Sequence, residues 1–97
     1  MAGEILITPD TMRQRASQYR TESSNVANVI SSMDNLVTTL ESEWKGSASE
    51  SYRDRYQQLR PSFVQAKDLI DEIAQALDHT AQTLEETDQS IASGFRG

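Results

Sequence analysis

The chain has no cysteine, two prolines, four glycines, one tryptophan and one histidine in 97 residues, and each scarcity removes a class of answer. Without cysteine there is neither a disulfide framework nor a thiolate metal site. Lys and Arg number 9 against 15 Asp and Glu, a net charge of -6. The clustered cations that a phosphate backbone demands are therefore missing, and nucleic acid is not an expected partner. The N-terminal Met1-Ala2-Gly3-Glu4 carries no basic residue, and the apolar Ile5-Leu6-Ile7 that follows is far shorter than a signal-peptide core or the roughly 20 residues that span a bilayer. The expectation is a protein made in the cytoplasm, with no cleavable signal peptide and no direct membrane insertion. At 36% hydrophobic residues, a single domain of this length has a modest core, which leaves surface for burial against a partner.

What is present is helical periodicity. Thr8-Pro9-Asp10 is a helix start: the Thr8 hydroxyl can accept a first-turn N–H, Pro9 has no amide hydrogen to lose, and Asp10 suits the positive helix end. From there Met12, Ala16, Tyr19, Ser23, Val26, Ile30, Met33, Val37, Leu40 and Trp44 follow steps of four and three, the spacing of a coiled-coil seam. Val29 and Leu36 lie one heptad apart beside this seam, with Glu22 and Glu43 as polar ends of their column, so the middle of the helix has surplus apolar surface. Neither Gly nor Pro interrupts Thr11 to Lys45. The predicted helix, about 8–44, is roughly 54 Å long at 1.5 Å per residue and needs an equally long companion.

That companion follows the turn Trp44-Lys45-Gly46. Ser47-Ala48-Ser49-Glu50 predicts a capping box opening a second helix over about 47–93. Its stripe is Tyr52, Tyr56, Leu59, Phe63, Ala66, Ile70, Ile73, Leu77, Thr80, Leu84, Thr87 and Ile91. Pro61 falls inside the stripe without changing its phase, which predicts a kink, with a full break between Leu59 and Ser62 as the alternative. Residues 1–6 and 94–97 are expected to be flexible, with Ser93-Gly94 marking a frayed end. Folding at the turn sets Arg13, Arg15 and Arg20 beside a segment rich in Asp and Glu and without Lys or Arg, from Asp68 to Asp88. Such pairs contribute little individually and mainly disfavour wrong registers. The fold class is all-α, one antiparallel helix-turn-helix hairpin in a single domain.

No constellation points to catalysis, a metal or a cofactor. His79 has no Glu three residues before it, as a helical di-metal site would require, and Glu72, His79 and Glu86 form one heptad column of a solvated face. The serines lack a Gly-x-Ser-x-Gly elbow, and no glycine belongs to a phosphate-cradling loop. The expected role is non-enzymatic. Trp44 has two readings: a plug over the end of the hairpin against Tyr52, or a partly exposed indole that docks a partner.

A chain of this length with two capped helices around Trp44-Lys45-Gly46 resembles the WXG family, the early-secreted-antigen-like small proteins of type VII secretion. The resemblance covers nearly the whole chain. Leu84, Asp88, Ile91 and Phe95 match a pattern of hydrophobe, acid and two hydrophobes found at the end of helix two in family members from Gram-positive bacteria. A Tyr-containing C-terminal tail typical of mycobacterial members is missing, which points to the homodimeric branch.

The resemblance implies two hairpins dimerising into an elongated four-helix bundle and export as a folded dimer by a membrane-embedded secretion ATPase. Trp44 and Gly46 of one chain would then combine with Leu84, Asp88, Ile91 and Phe95 of the other as a composite signal. Val29 and Leu36, with the small residues Ala16, Ser23 and Ala27, are the expected dimer interface. Two rival roles remain open: a heterodimer partner or carrier for a larger secreted toxin or another WXG protein, and a cytosolic coiled-coil adaptor.

Overall fold

The computed structural model describes residues 7–44 and 46–96, which form two helices, α1 (Pro9–Glu43) and α2 (Ser47–Arg96). Helix α1 begins as its sequence requires. Thr8 is extended (φ -99, ψ 164), and its hydroxyl accepts the Thr11 amide at 3.1 Å while its carbonyl accepts that of Met12 at 2.9 Å. Pro9 and Asp10 occupy the first turn. At the other end the Trp44 amide still bonds the Leu40 carbonyl at 2.8 Å, but Trp44 itself has turned extended (φ -126, ψ 93). Gly46 completes the reversal at φ +149, a region closed to side chains with a Cβ, which is why a glycine stands there.

Helix α2 starts differently from the expected capping box. Ser47 is already helical, and the Gly46 carbonyl takes the Glu50 amide at 3.4 Å and the Ser49 hydroxyl at 2.9 Å. Reciprocal Ser47–Glu50 bonds do not occur among the described residues. The helix then runs 50 residues without a break, Pro61 included. The proline ring points to solvent, so one carbonyl loses its amide partner but not access to water. The helix also runs past the expected end near residue 93, through Gly94 to Arg96. An isolated glycine weakens a helix by only about 1 kcal/mol, less than is needed to end one by itself. Residues 1–6 and 97, also expected to be flexible, lie outside the described residues.

The hairpin is a rod of 76 × 28 × 17 Å. Its core is a thin line rather than a volume. Met12, Ala16, Ser23 and Ile30 of α1 meet Ala74, Ala81 and the half-buried Tyr56, Phe63, Ile70 and Leu77 of α2. Ala16, Ala74 and Ala81 are 0% exposed, so the helices approach closely where side chains are smallest. The α2 stripe read from the sequence is therefore split lengthwise. Tyr56, Phe63, Ile70 and Leu77 turn toward α1, whereas Tyr52, Leu59 and Ile73 remain open, and Ala74 and Ala81, outside the stripe, are buried instead. Two helices can cover only about a third of each other's circumference, so a wide apolar face exceeds what one neighbour can bury.

Candidate interaction surfaces

One flank of the hairpin is closed by ions. Arg13, Arg20, Asp34 and Glu41 repeat at heptad spacing along α1, and each meets an opposite charge on α2. The Arg13 guanidinium grips Glu85 through two bonds, the second at 3.0 Å, and Arg20 pairs with Asp78. Arg60 reaches Asp34 in a fork, 2.9 Å from Nε and 3.0 Å from Nη2, and Arg53 lies 3.8 Å from Glu41. Tyr56 ties the centre of the flank: its hydroxyl donates to Asp34 at 2.5 Å and lies 3.3 Å from the Ile30 carbonyl.

These contacts have electrostatic consequences. Hydrogen bonds from Arg60 and then Tyr56 hold the Asp34 carboxyl below its ordinary range, and Arg13 does the same for Glu85. Asp71 is drawn down by the Ser23 hydroxyl and by Lys67, 2.9 Å away. The Tyr56 hydroxyl is pushed up, by loss of solvent first and by the Asp34 carboxylate second. The expected pairing of Arg13 and Arg20 with the acidic end of α2 is present, while Arg15 bonds Gln18 on its own helix. The Asp34–Tyr56–Arg60 group and the Glu41–Arg53 pair escaped sequence reasoning. The available signal was the reversed charge order, acids in late α1 against arginines in early α2.

The opposite flank is apolar and open. Val29 is 55% and Leu36 60% exposed, and Tyr19 and Leu40 extend the same side of α1. Tyr52, Leu59, Leu69 and Ile73 are its counterparts on α2. Of the five residues expected at a dimer interface, only Val29 and Leu36 lie here. Ala16 and Ser23 are buried against α2 of the same chain, and Ala27 sits half-buried in the ion-pair column between Arg20 and Asp34. Small residues at heptad spacing mark a close helix approach without saying whose helix approaches.

At the turn, Trp44 stacks on Tyr52 with ring centroids 5.5 Å apart and planes tilted by 46°. The indole nevertheless stays 44% exposed, so it covers the end of the hairpin against Tyr52 and still presents a face. Leu84, Asp88 and Ile91 are exposed along the last turns of α2, at the far end of the rod from Trp44 and Gly46. Phe95 belongs to the same helix, and its side chain lies outside the described residues. One hairpin alone does not bring the two sets together. Among the described residues no group of His, Asp and Glu is placed to hold a metal ion, and no helix is long and apolar enough to cross a membrane.

The fold is a two-helix hairpin rod whose exposed features are an apolar flank and an aromatic turn. Residues 4–89 match the WXG100 family, described as proteins of 100 residues with WXG, and the chain belongs to it. It is thus a small type VII secretion-associated protein. It is 45% identical over 70 residues to protein YukE of Bacillus subtilis, covering 72% of each chain. It is 29% identical over 67 residues to the ESAT-6-like protein SAG1039 of Streptococcus agalactiae, covering 69% of this chain and 70% of that one. The crystal structure of EsxA from Geobacillus thermodenitrificans superposes with a TM-score of 0.83 at 46% identity, over 95% of this chain and 99% of that one. A secreted protein EsxB from Bacillus anthracis shares the fold at 24% identity, with a TM-score of 0.80 over 91% and 99% of the two chains.

Proposed function

We propose that the protein is exported as a folded homodimer through a type VII secretion system, of which it is both substrate and component, and that it acts by protein contact. The observation that carries this reading is the open apolar flank along the middle of the hairpin, from Tyr19 to Leu40 on α1 and Tyr52 to Ile73 on α2, about 32 Å on each helix. A soluble rod gains by covering a continuous apolar strip of that length. A second copy supplies a strip of equal length. Secretion is supported by the family and by the exposed Leu84, Asp88 and Ile91 on the last turns of α2.

In this reading Trp44 and Gly46 of one chain and the Leu84, Asp88, Ile91 and Phe95 set of the other form the surface handed to a membrane-embedded secretion ATPase. Asp88 makes no ion pair among the described residues, so replacing it changes the signal and not the fold. Light scattering on the purified protein should give twice the chain mass. Culture fractionation should find wild type in the medium and Asp88→Ala retained in cells with unchanged helicity. Normal export of Asp88→Ala would remove Asp88 from the signal. A monomer that dimerises only when mixed with a larger secreted partner would favour the carrier role.

A further inference from the structure

We infer that the ion-paired flank carries a docking site for an acidic helix of a partner protein, centred on a cavity between Ala27 and Lys67. The charge ladder itself sets the site. Along α1, Glu41, Asp34 and Ala27 follow at intervals of seven, and along α2 Arg53, Arg60 and Lys67 do the same in the opposite direction. Glu41 faces Arg53, and Asp34 faces Arg60. The third rung has a cation on α2 and only a methyl group on α1. Lys67 turns instead to Asp71 on its own helix, 2.9 Å away, and a cavity of about 220 Å3 opens beside Ala27. Its apolar lining is Ala27, Ile30 and Val64, and its polar lining includes Arg60, Lys67 and Ser31. An ammonium has three N–H groups and a guanidinium five. Among the described residues Lys67 spends one on Asp71, and Arg60 spends two on Asp34, from Nε and Nη2, while both Asp34 oxygens already accept. The spare capacity is thus in donors. A Glu side chain fits that chemistry, with an aliphatic stem for the apolar lining and two acceptor oxygens for the cations. A neutral apolar side chain covering the same mouth would strand those donors.

A second cavity points to a helix as the ligand. It measures about 260 Å3 and lies one heptad further along the hairpin, between Arg60 and Arg53, with Val37 and Tyr56 as apolar lining and Thr38 and Gln57 beside them. Arg53 makes no hydrogen bond among the described residues, because Glu41 and Asp54 both stand 3.8 Å from its Nε, beyond hydrogen-bonding range. The second cavity therefore repeats the first, apolar lining and spare guanidinium donors alike. Two such cavities about 10.5 Å apart match side chains seven residues apart on one face of a helix. A small carboxylate would fill one and leave the other. Both cavities lie on the flank opposite Val29 and Leu36, so the site is open whether or not a second copy covers the apolar flank, and it does not rest on the homodimer reading.

The probe is an alanine-based helical peptide with Glu at every seventh position, titrated at low salt into the isotope-labelled full chain and followed by NMR. One control peptide carries Gln for Glu, and another places the Glu residues on opposite helix faces. Saturable amide shifts at Ala27, Ser31, Thr38 and Gln57 are expected with the first peptide and with neither control, and added salt should weaken them. Ala27→Glu supplies the carboxylate from the chain itself, and Ala27→Leu fills the cavity without charge. Each should keep the helicity and weaken binding by about tenfold or more. Lys67→Gln should weaken binding several-fold, and Lys67→Arg should retain it. No saturable shift up to about 1 mM peptide, equal binding of the Gln peptide, or undiminished binding by Ala27→Glu would overturn the site. Shifts confined to Val29 and Leu36 would do the same, by placing the peptide on the apolar flank. Glutarate reproducing the full set of shifts at the same concentration would refute a helix as the ligand. Light scattering on the same samples reports the homodimer separately.

Discussion

Ala74→Leu should destabilise the hairpin by about 1–3 kcal/mol, the usual cost of forcing extra methylenes into a packed contact. The methyl of Ala74 is 0% exposed between α1 and α2, and leucine is nearly as good a helix former as alanine. The loss therefore reports packing between the helices and not helix propensity. Ala76→Leu, two residues on and exposed, is the matched control, with the same added atoms in the same helix and no neighbour to displace within the hairpin. Urea unfolding followed by circular dichroism measures both, at one fixed protein concentration so that any self-association contributes equally to the two. For a protein of this size the urea slope is about 1–3 kcal/mol per molar, so 2 kcal/mol moves the midpoint by about 1 M. Equal midpoints for Ala74→Leu and Ala76→Leu would refute the placement of Ala74 in the contact. Such a result would return the seam to the Ile73 column that the sequence stripe suggested.

Acid should loosen the hairpin. Asp34, Asp71 and Glu85 have folded pKa values below their unfolded ones, so their contribution is complete above the unfolded carboxylate range of about 4 and is lost as pH falls through the folded values. Thermal melts from pH 7 to pH 2 should show the midpoint dropping mainly below about pH 4, and Asp34→Asn should flatten part of that drop. Pro61→Ala should stabilise the protein by up to about 3 kcal/mol, since α2 is continuous at that residue and the exposed ring only withholds an amide. A lower urea midpoint for Pro61→Ala would show that the proline shapes α2 in a way the apolar face needs.

Much of the fold was legible because it rests on local chemistry. The Thr8 cap, the first-turn proline and Gly46 act on their own backbone, and a period of 3.5 residues shows in any helix whose face is buried. The reach of α2 through Gly94 and its start at Ser47 were not legible, since end effects of about 1 kcal/mol are settled by small differences among neighbouring residues. At the candidate surfaces, Val29, Leu36 and Trp44 are exposed on the single hairpin, whereas Ala16 and Ser23 are buried and Ala27 is half-buried within it, which spacing could not foretell because smallness signals closeness to any helix, including the chain's own.

By itself the sequence determined two helices, their turn at Trp44-Lys45-Gly46, the antiparallel charge order and the absence of cysteine chemistry, all properties of spacing and residue type. Only the tertiary structure decided how the apolar faces divide. It turned Tyr56, Phe63 and Ile70 inward and left Tyr52, Leu59 and Ile73 out, and it closed one flank with Asp34, Tyr56 and Arg60 while leaving Val29 and Leu36 open. Periodicity defines a stripe's width and phase. Which edge of the stripe its own partner helix covers depends on the rotation of each helix about its axis, and that angle is set by contacts between residues far apart in the chain.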